Sequence, residues 1–393
     1  MRTHLRRKYR LQRIFAALAA AAGVAGCAAI LFYSLPGISG YMVKAGVISA
    51  GFVLPEGGLA VLEGGLAQEE SQAVSAAESV PESSVLPEKS EEPEESAPKE
   101  ESKEESAPAE TSYPPIEVSV PAVADENKAE LVHKTYTVSP SNIYIPLENG
   151  YIKNCTSISK ADIETQVKNP PYFTIEDTDE PQVLIMHTHT TESYVPFTGD
   201  YYDKTMSFRS TDNSQNMAVV GDRIASELEA AGIGVIHDAT QHDYPSYNGA
   251  YDRSQKTVEQ YLAEYPSIKV VLDIHRDAIY DGEGNPYKVV SQVAEGRAAQ
   301  MTFVIGTDGS GLPNDNWPEN LKLAAAVQDT LLEDYPTLMR PITVRNSRYN
   351  QHCTTGSLLV EVGAAGNSLD EALLSARLLA AGLAETLQNA PAA

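Results

Sequence analysis

The run VLIMHTHTTE over residues 183–192 carries two imidazoles and a carboxylate within six positions: His187, His189 and Glu192. The four apolar residues ahead of them read as a buried strand. Side chains alternate along an extended chain, so His187 and His189 are expected on one face, with Glu192 brought back to them by a loop. Imidazole and carboxylate are the usual ligands of a catalytic zinc, which takes three from the protein and keeps one position open for water. The competing reading makes these residues ordinary hydrogen-bonding groups at a strand end.

A second stretch, VVLDIHRD over 270–277, places His275 at the end of another apolar run, beside Arg276 and Asp277. His189, Glu192 and His275 together make a three-ligand set, and Asp273 or Asp277 could orient an imidazole by accepting its second N–H. A third stretch, LLVEVG over 358–363, sets Glu361 among apolar residues. A carboxylate there is costly unless paired or protonated, and burial raises its pKa toward general-base values. Glu361 is therefore the candidate acid/base, and an ion pair with a structural Arg such as Arg345 is the alternative. The neighbours His352 and Cys353 invite a nucleophile reading, but adjacent residues on an extended chain point to opposite faces. His237 and His242 read as solvated loop residues, and His133 lies outside the regular region.

The elements that must position these groups alternate strand with helix. Strands are predicted at Val183–Met186, Val235–His237, Ile268–His275, Ile342–Arg345 and Leu358–Val362, with two more, Tyr287–Val293 and Met301–Ile305, joined through Gly296. Helices are predicted from Met217 to Ala231, with Met217, Val220, Ile224, Leu228 and Ala231 on one stripe stopped by Gly232 and Gly234, then over Tyr247–Tyr265, Asn320–Leu332 and Ser368–Leu387. This alternation indicates an α/β fold with a mainly parallel sheet covered by helices on both faces. Ligands collect outside the carboxyl ends of such strands, and His189, His275 and Glu361 fall at or near those ends.

Ahead of this domain, assigned to residues 181–393, the chain changes character three times. Arg2, Arg6, Arg7, Lys8, Arg10 and Arg13 precede 20 uncharged residues from Ile14 to Tyr33, enough for a helix to span a bilayer core of about 30 Å. Residues 1–35 are thus read as a basic cytoplasmic tail and a transmembrane anchor, with the rest of the chain outside. A cleaved signal peptide and lipidation at Cys27, after Val24-Ala25-Gly26, are the alternatives. Residues 36–126 form a juxtamembrane segment and a Glu/Pro/Ser-rich linker, too poor in apolar residues to fold. Residues 127–180 read as a lead-in region with some β character.

About half of the formal charge of -25 lies in that linker: Glu56 to Glu110 holds 16 Glu, no Asp and 3 Lys. Without a basic face a nucleic-acid partner is disfavoured. Three cysteines, one of them in the apolar anchor, exclude a disulfide scaffold and a Cys-rich metal site.

HTHTTESY at 187–194, DIHRDA at 273–278 and YNQHCTTGSLLVEVG at 349–363 together resemble the stage II sporulation protein P family, which belongs with the zinc-dependent N-acetylmuramoyl-L-alanine amidases. The resemblance covers roughly residues 180–390. It implies an amidase-like α/β fold and a Zn2+ cofactor held at the strand ends. It implies hydrolysis of peptidoglycan during engulfment of the forespore, at the amide between muramic acid and the stem peptide and also at peptide cross-links. The implied partners are the stage II sporulation proteins D and M. The first zinc histidine falls on His189, DIH gives His275, and VEVG gives Glu361 as the acid/base. The middle ligand is Glu192, with His187 as the alternative. Two rival readings stand beside this one: a two-metal amidohydrolase or phosphoesterase that uses His187 and His189 as an HxH pair, and a non-enzymatic cell-wall scaffold.

Overall fold

The computed structural model describes residues 123–390, except 139, 140, 172–174, 177 and 179. The predicted basic tail and anchor, and the linker as far as Ala122, lie outside the described residues. Among the described residues no helix is long and apolar enough to cross a membrane.

In chain order the strands are β1 (Lys128–Glu130), β2 (Val132–Lys134), β3 (Tyr144–Pro146), β4 (Tyr151–Asn154), β5 (Val183–Met186), β6 (Tyr201–Asp203), β7 (Val235–His237), β8 (Val270–Asp277), β9 (Tyr287–Val293), β10 (Gly296–Ala299), β11 (Met301–Gly306), β12 (Ile342–Arg345) and β13 (Ser357–Ala364). The helices are α1 (Lys160–Gln166), α2 (Met217–Ala230), α3 (Ala250–Glu264), α4 (Trp317–Asp334) and α5 (Leu369–Asn389). Eight strands form the central sheet in the order β3-β4-β12-β11-β13-β8-β5-β7. The block β7-β5-β8-β13 is parallel, as is β11-β12-β4. The blocks meet antiparallel at β13–β11, and β3 is antiparallel to β4. The sheet is therefore mixed, although mainly parallel as the sequence indicates. Smaller sheets pair β1 with β6 and order β10-β9-β2, so the lead-in region over 127–180 supplies strands to all three sheets.

Two-residue alternation decides which face carries chemistry. Along β8, Val270, Leu272 and Ile274 enter the main core with Ile224 and Leu228 of α2 and Leu379 and Leu383 of α5. Val271 turns the other way, to Val258 of α3 and to Leu184 and Met186 of β5. Asp273, His275 and Asp277 follow Val271 onto the α3 face. All eight β8 residues are buried. Each fully buried Val, Leu or Ile contributes about 1.5–3 kcal/mol, which helps offset the cost of holding four ionisable groups, Asp273, His275, Arg276 and Asp277, on the same strand.

Helix boundaries follow local chemistry. The Asn216 side chain accepts from the Ala218 N–H at the start of α2, and Gly232, with φ 82, ends it. Ser368 and Glu371 form a capping box on α5. α3 begins at Ala250 rather than Tyr247, because Gly249 before it is left-handed at φ 78. Tyr247 is thereby left in the loop. The region around Gly296 also differs from expectation: Gly296–Ala299 is a strand of its own, forming a hairpin with β9 before the chain crosses into the central sheet as β11. Four residues reading GRAA carry little strand signal. The crossing is fixed by buried Gln300, whose Nε2 donates to the carbonyls of Tyr136 and Thr337.

Candidate metal centre

His189, Glu192 and His275 each direct one ligand atom into a space where those atoms lie within 4.8 Å of one another, and all three residues are buried. The two imidazole centroids are 5.0 Å apart and nearly perpendicular. Glu192 lies between them, Oε1 at 3.7 Å from His189 Nδ1 and Oε2 at 3.7 Å from His275 Nδ1. Two imidazoles and a carboxylate match the donor set and the ligand count of a catalytic zinc.

β5 ends at Met186, and a turn over 188–191 reverses the side chains beyond it. His187 keeps the face its position in the strand dictates. Its Nδ1 donates to the Ile274 carbonyl at 2.9 Å, and its Nε2 meets His237 Nε2 at 2.9 Å. With both nitrogens engaged outside the cluster, His187 is not placed to ligate. The expectation that His187 and His189 share a face fails, because the chain is extended only up to the first of them. The HxH two-metal reading loses its geometry with it. The Glu192 loop is pinned on several sides. Buried Asp243 accepts from the Thr191 N–H and Oγ1, at 3.2 and 2.6 Å. The Tyr194 hydroxyl donates to the Val362 carbonyl at 2.7 Å. Arg276 clamps the carbonyls of Ser193 and Phe208 from the far face of β8.

The second partner of His275 is Asp273, two residues back on the same face, with Oδ1 at 2.8 Å from Nε2. The contact is close enough for charge pairing, although the N–H is not in line with the oxygen. Asp273 is itself fixed by the Thr188 N–H and Oγ1, both at 2.7 Å. Asp277, the other candidate for this part, instead takes the Arg340 guanidinium at 2.7 Å.

Protonation suits the assignment. Burial drives His189 down to about 3, so its imidazole is neutral and free to ligate. For His275 burial also acts downward, but Asp273 and then Glu192 outweigh it and hold the group well above its ordinary value. A cation must displace that proton. Burial pushes Glu192 up, yet the His275 imidazole and the Arg276 charge pull it well below the usual carboxylate range, so it stays ionised. Replacing Asp273 with Asn should cut zinc affinity roughly 10- to 100-fold, the usual cost of losing the group that orients a ligand. Chelator competition on the folded variant measures it, and unchanged affinity would rule out the orienting role.

Glu361 on β13 is the Cα partner of His275 on β8. The residue is partly exposed, but its Oε2 is enclosed and has no hydrogen-bond partner. Desolvation, then the charge of Asp277, raise it to about 8. Arg345 is not its counter-ion. Glu361 is level with Thr302 on β11 and Arg345 with Gly306, four residues or about 13 Å along the strand. His352 and Cys353 do meet, at 4.0 Å, because a turn replaces the extended chain. Burial pushes that thiol up to about 11, which opposes a nucleophilic role. His242 is buried rather than solvated, its Nδ1 donating to the His187 carbonyl at 2.7 Å and its Nε2 accepting from Thr257 at 2.9 Å. His237 is likewise engaged, with His187 and with Asp222. His133 pairs with Asp200 at 2.9 Å.

A sequence profile of the family described as stage II sporulation protein P matches residues 56–384. The chain belongs to that family. Stage II sporulation protein P of Bacillus subtilis (strain 168) is 31% identical over 216 residues, which are 52% of this chain and 50% of that protein. The chain thus spans about half the length of the curated relative it matches. Solved structures with some likeness include the N-acetylmuramoyl-L-alanine amidase AmiC2 of Nostoc punctiforme, at 14% identity and TM-score 0.32 over 54% of this chain and 97% of that one. The CwlD amidase of Clostridioides difficile, solved with the GerS lipoprotein, gives 14% identity and TM-score 0.33 over 53% and 96%. Likeness at that level is too slight to bear on function.

Two contributors to the site in this stage II sporulation protein P family member escaped the sequence reading. Tyr247 stacks on His189 with centroids 4.5 Å apart, and Arg209 lies 4.9 Å from the Tyr247 ring centre with Nη2 3.5 Å from Glu192 Oε1. Neither sits in an apolar run or a charge cluster. The one available signal was that Tyr247 precedes Gly249, a natural helix start.

Proposed function

We propose that this chain is a zinc-dependent peptidoglycan hydrolase that cleaves the amide between N-acetylmuramic acid and L-alanine during sporulation engulfment, with peptide cross-links as a second target. The observation that carries this reading is the convergence of His189, Glu192 and His275 next to the unpartnered Glu361. Family membership supplies the biological setting.

A zinc ion held by His189, Glu192 and His275 would polarise the scissile carbonyl and make water more acidic. Glu361 accepts the proton of the attacking water and returns it to the departing amine nitrogen, so one carboxyl serves as base and then as acid. Its elevated proton affinity suits the second half of that cycle. Asp273 holds the His275 ring, and the turn over 188–191, tied to Asp243, holds Glu192 against both imidazoles. We further propose that residues 1–35 anchor the chain in the cell membrane with the catalytic part outside, in the intermembrane space of the sporulating cell. Stage II sporulation proteins D and M are proposed as its partners there.

Mass spectrometry of muropeptides released from purified sacculi by the full chain, with and without chelator, tests the reaction. Stem peptides with a free alanine amine, lost on chelation and restored by zinc, are expected. Sacculus binding with no released peptide would instead favour a non-enzymatic scaffold.

A further inference from the structure

Arg209 is held more rigidly than a partly exposed arginine requires. Its Nη1 donates to Asp243 Oδ2 at 2.7 Å and to Thr191 Oγ1 at 3.1 Å. The Asp243 side chain is fully buried and is itself fixed by Thr191. The guanidinium also lies against the Tyr247 ring, which is stacked in turn on His189. The donors of one end are therefore used, and an aromatic face restrains the plane. Nε carries no hydrogen bond, and Nη2 has only the 3.5 Å approach to Glu192 Oε1. Nε and Nη2 form the side-on edge of a guanidinium, the fork that takes a carboxylate through two parallel N–H···O bonds. A third of the Arg209 side chain is exposed, whereas Glu192 and His189 beside it are almost fully covered.

We propose that Arg209 is a substrate-specificity residue whose Nε/Nη2 edge binds a free carboxylate on the peptide side of the scissile amide, close to the metal ligands. This rests on the amide-hydrolysis reading above and adds a substrate class to it: acyl-peptides with an unamidated carboxylate near the cleaved bond. Two nearby negative groups oppose such binding. Asp243 is already committed to the opposite end of the guanidinium, and Glu192 shares its charge with a divalent cation whenever one is bound. The fork then faces the incoming peptide with its positive charge uncancelled on that side.

The test uses the full zinc-loaded chain and two muropeptides that differ only in carrying a free carboxylate or a primary carboxamide on the residue after the alanine. Wild type should favour the carboxylate form at least tenfold in kcat/KM, as expected for a charge-assisted pair. Arg209→Gln should lose that preference, with kcat/KM falling at least tenfold further on the carboxylate substrate than on the carboxamide. Arg209→Lys should recover only part of it, since a point charge replaces the fork. Zinc affinity, read by a chromogenic chelator, should change far less than the preference. An equal loss on both substrates, or a large fall in zinc affinity, would mean that Arg209 merely supports Glu192, and would overturn the proposal. Binding of the same two ligands to zinc-loaded Glu361→Gln, measured calorimetrically, separates the two layers of argument. Discrimination in binding without wild-type turnover would refute the hydrolase reading and retain the carboxylate fork. Equal binding of both ligands refutes the fork.

Discussion

Replacing His189 or His275 with alanine is expected to abolish tight zinc binding and hydrolysis together. Each imidazole is one of three candidate ligands, supplied by two separate segments of the chain, and two remaining donors fall short of the three that catalytic zinc sites use. The loss should exceed the roughly 10- to 100-fold cost of removing a group that only orients a ligand. Metal content by elemental analysis and release of muropeptides are the paired measurements. The fold should survive, because the core on the other face of β8 is made by Val270, Leu272 and Ile274 and is untouched by either change. A His275→Ala protein that kept one tightly bound zinc would show that the ion sits elsewhere.

Glu361→Gln is the second large effect and should separate binding from turnover. Glutamine keeps the shape of the side chain but neither accepts nor returns a proton. Zinc should stay bound, while turnover falls about 10²- to 10⁴-fold. The same variant has a stability signature with a defined sign. In the metal-free protein Glu361 is raised from 4.5 to about 8 by desolvation and by Asp277. The protonated form is the one the fold favours, so its contribution is complete below about pH 4.5 and is lost as pH rises toward 8. Metal-free wild type should therefore lose melting temperature relative to Glu361→Gln between pH 5 and pH 8. Zinc should shrink that difference, since a nearby cation favours the ionised carboxylate. Parallel melting curves for the two metal-free proteins across that range would contradict the burial argument.

The candidate ligand set shows how far a linear pattern reaches. Apolar runs that lead toward His189, end in His275 or enclose Glu361 were visible because a buried parallel strand is continuously apolar, so a polar residue within it or just beyond it stands out. Alternation then placed His275 with Asp273 and Asp277, which β8 obeys. Alternation failed at His187, two residues before His189, because the chain stops being extended there. The choice between Glu192 and His187 was invisible in the spacing. It depends on the turn over 188–191, which is stabilised by Asp243, some fifty residues away.

The sequence by itself determined the strand–helix alternation, the mainly parallel sheet, the strand-end positions of the polar groups and the resemblance to stage II sporulation protein P. All of these rest on short-range periodicity or on contiguous motifs. Only the tertiary structure decided that β11 runs antiparallel to β13, that Asp273 rather than Asp277 meets His275, and that Tyr247 packs on His189 with Arg209 beside it and Glu192. The reason is physical: strand pairing, side-chain charge partners and loop stacking are settled between residues tens of positions apart, by which groups can satisfy one another once water is excluded.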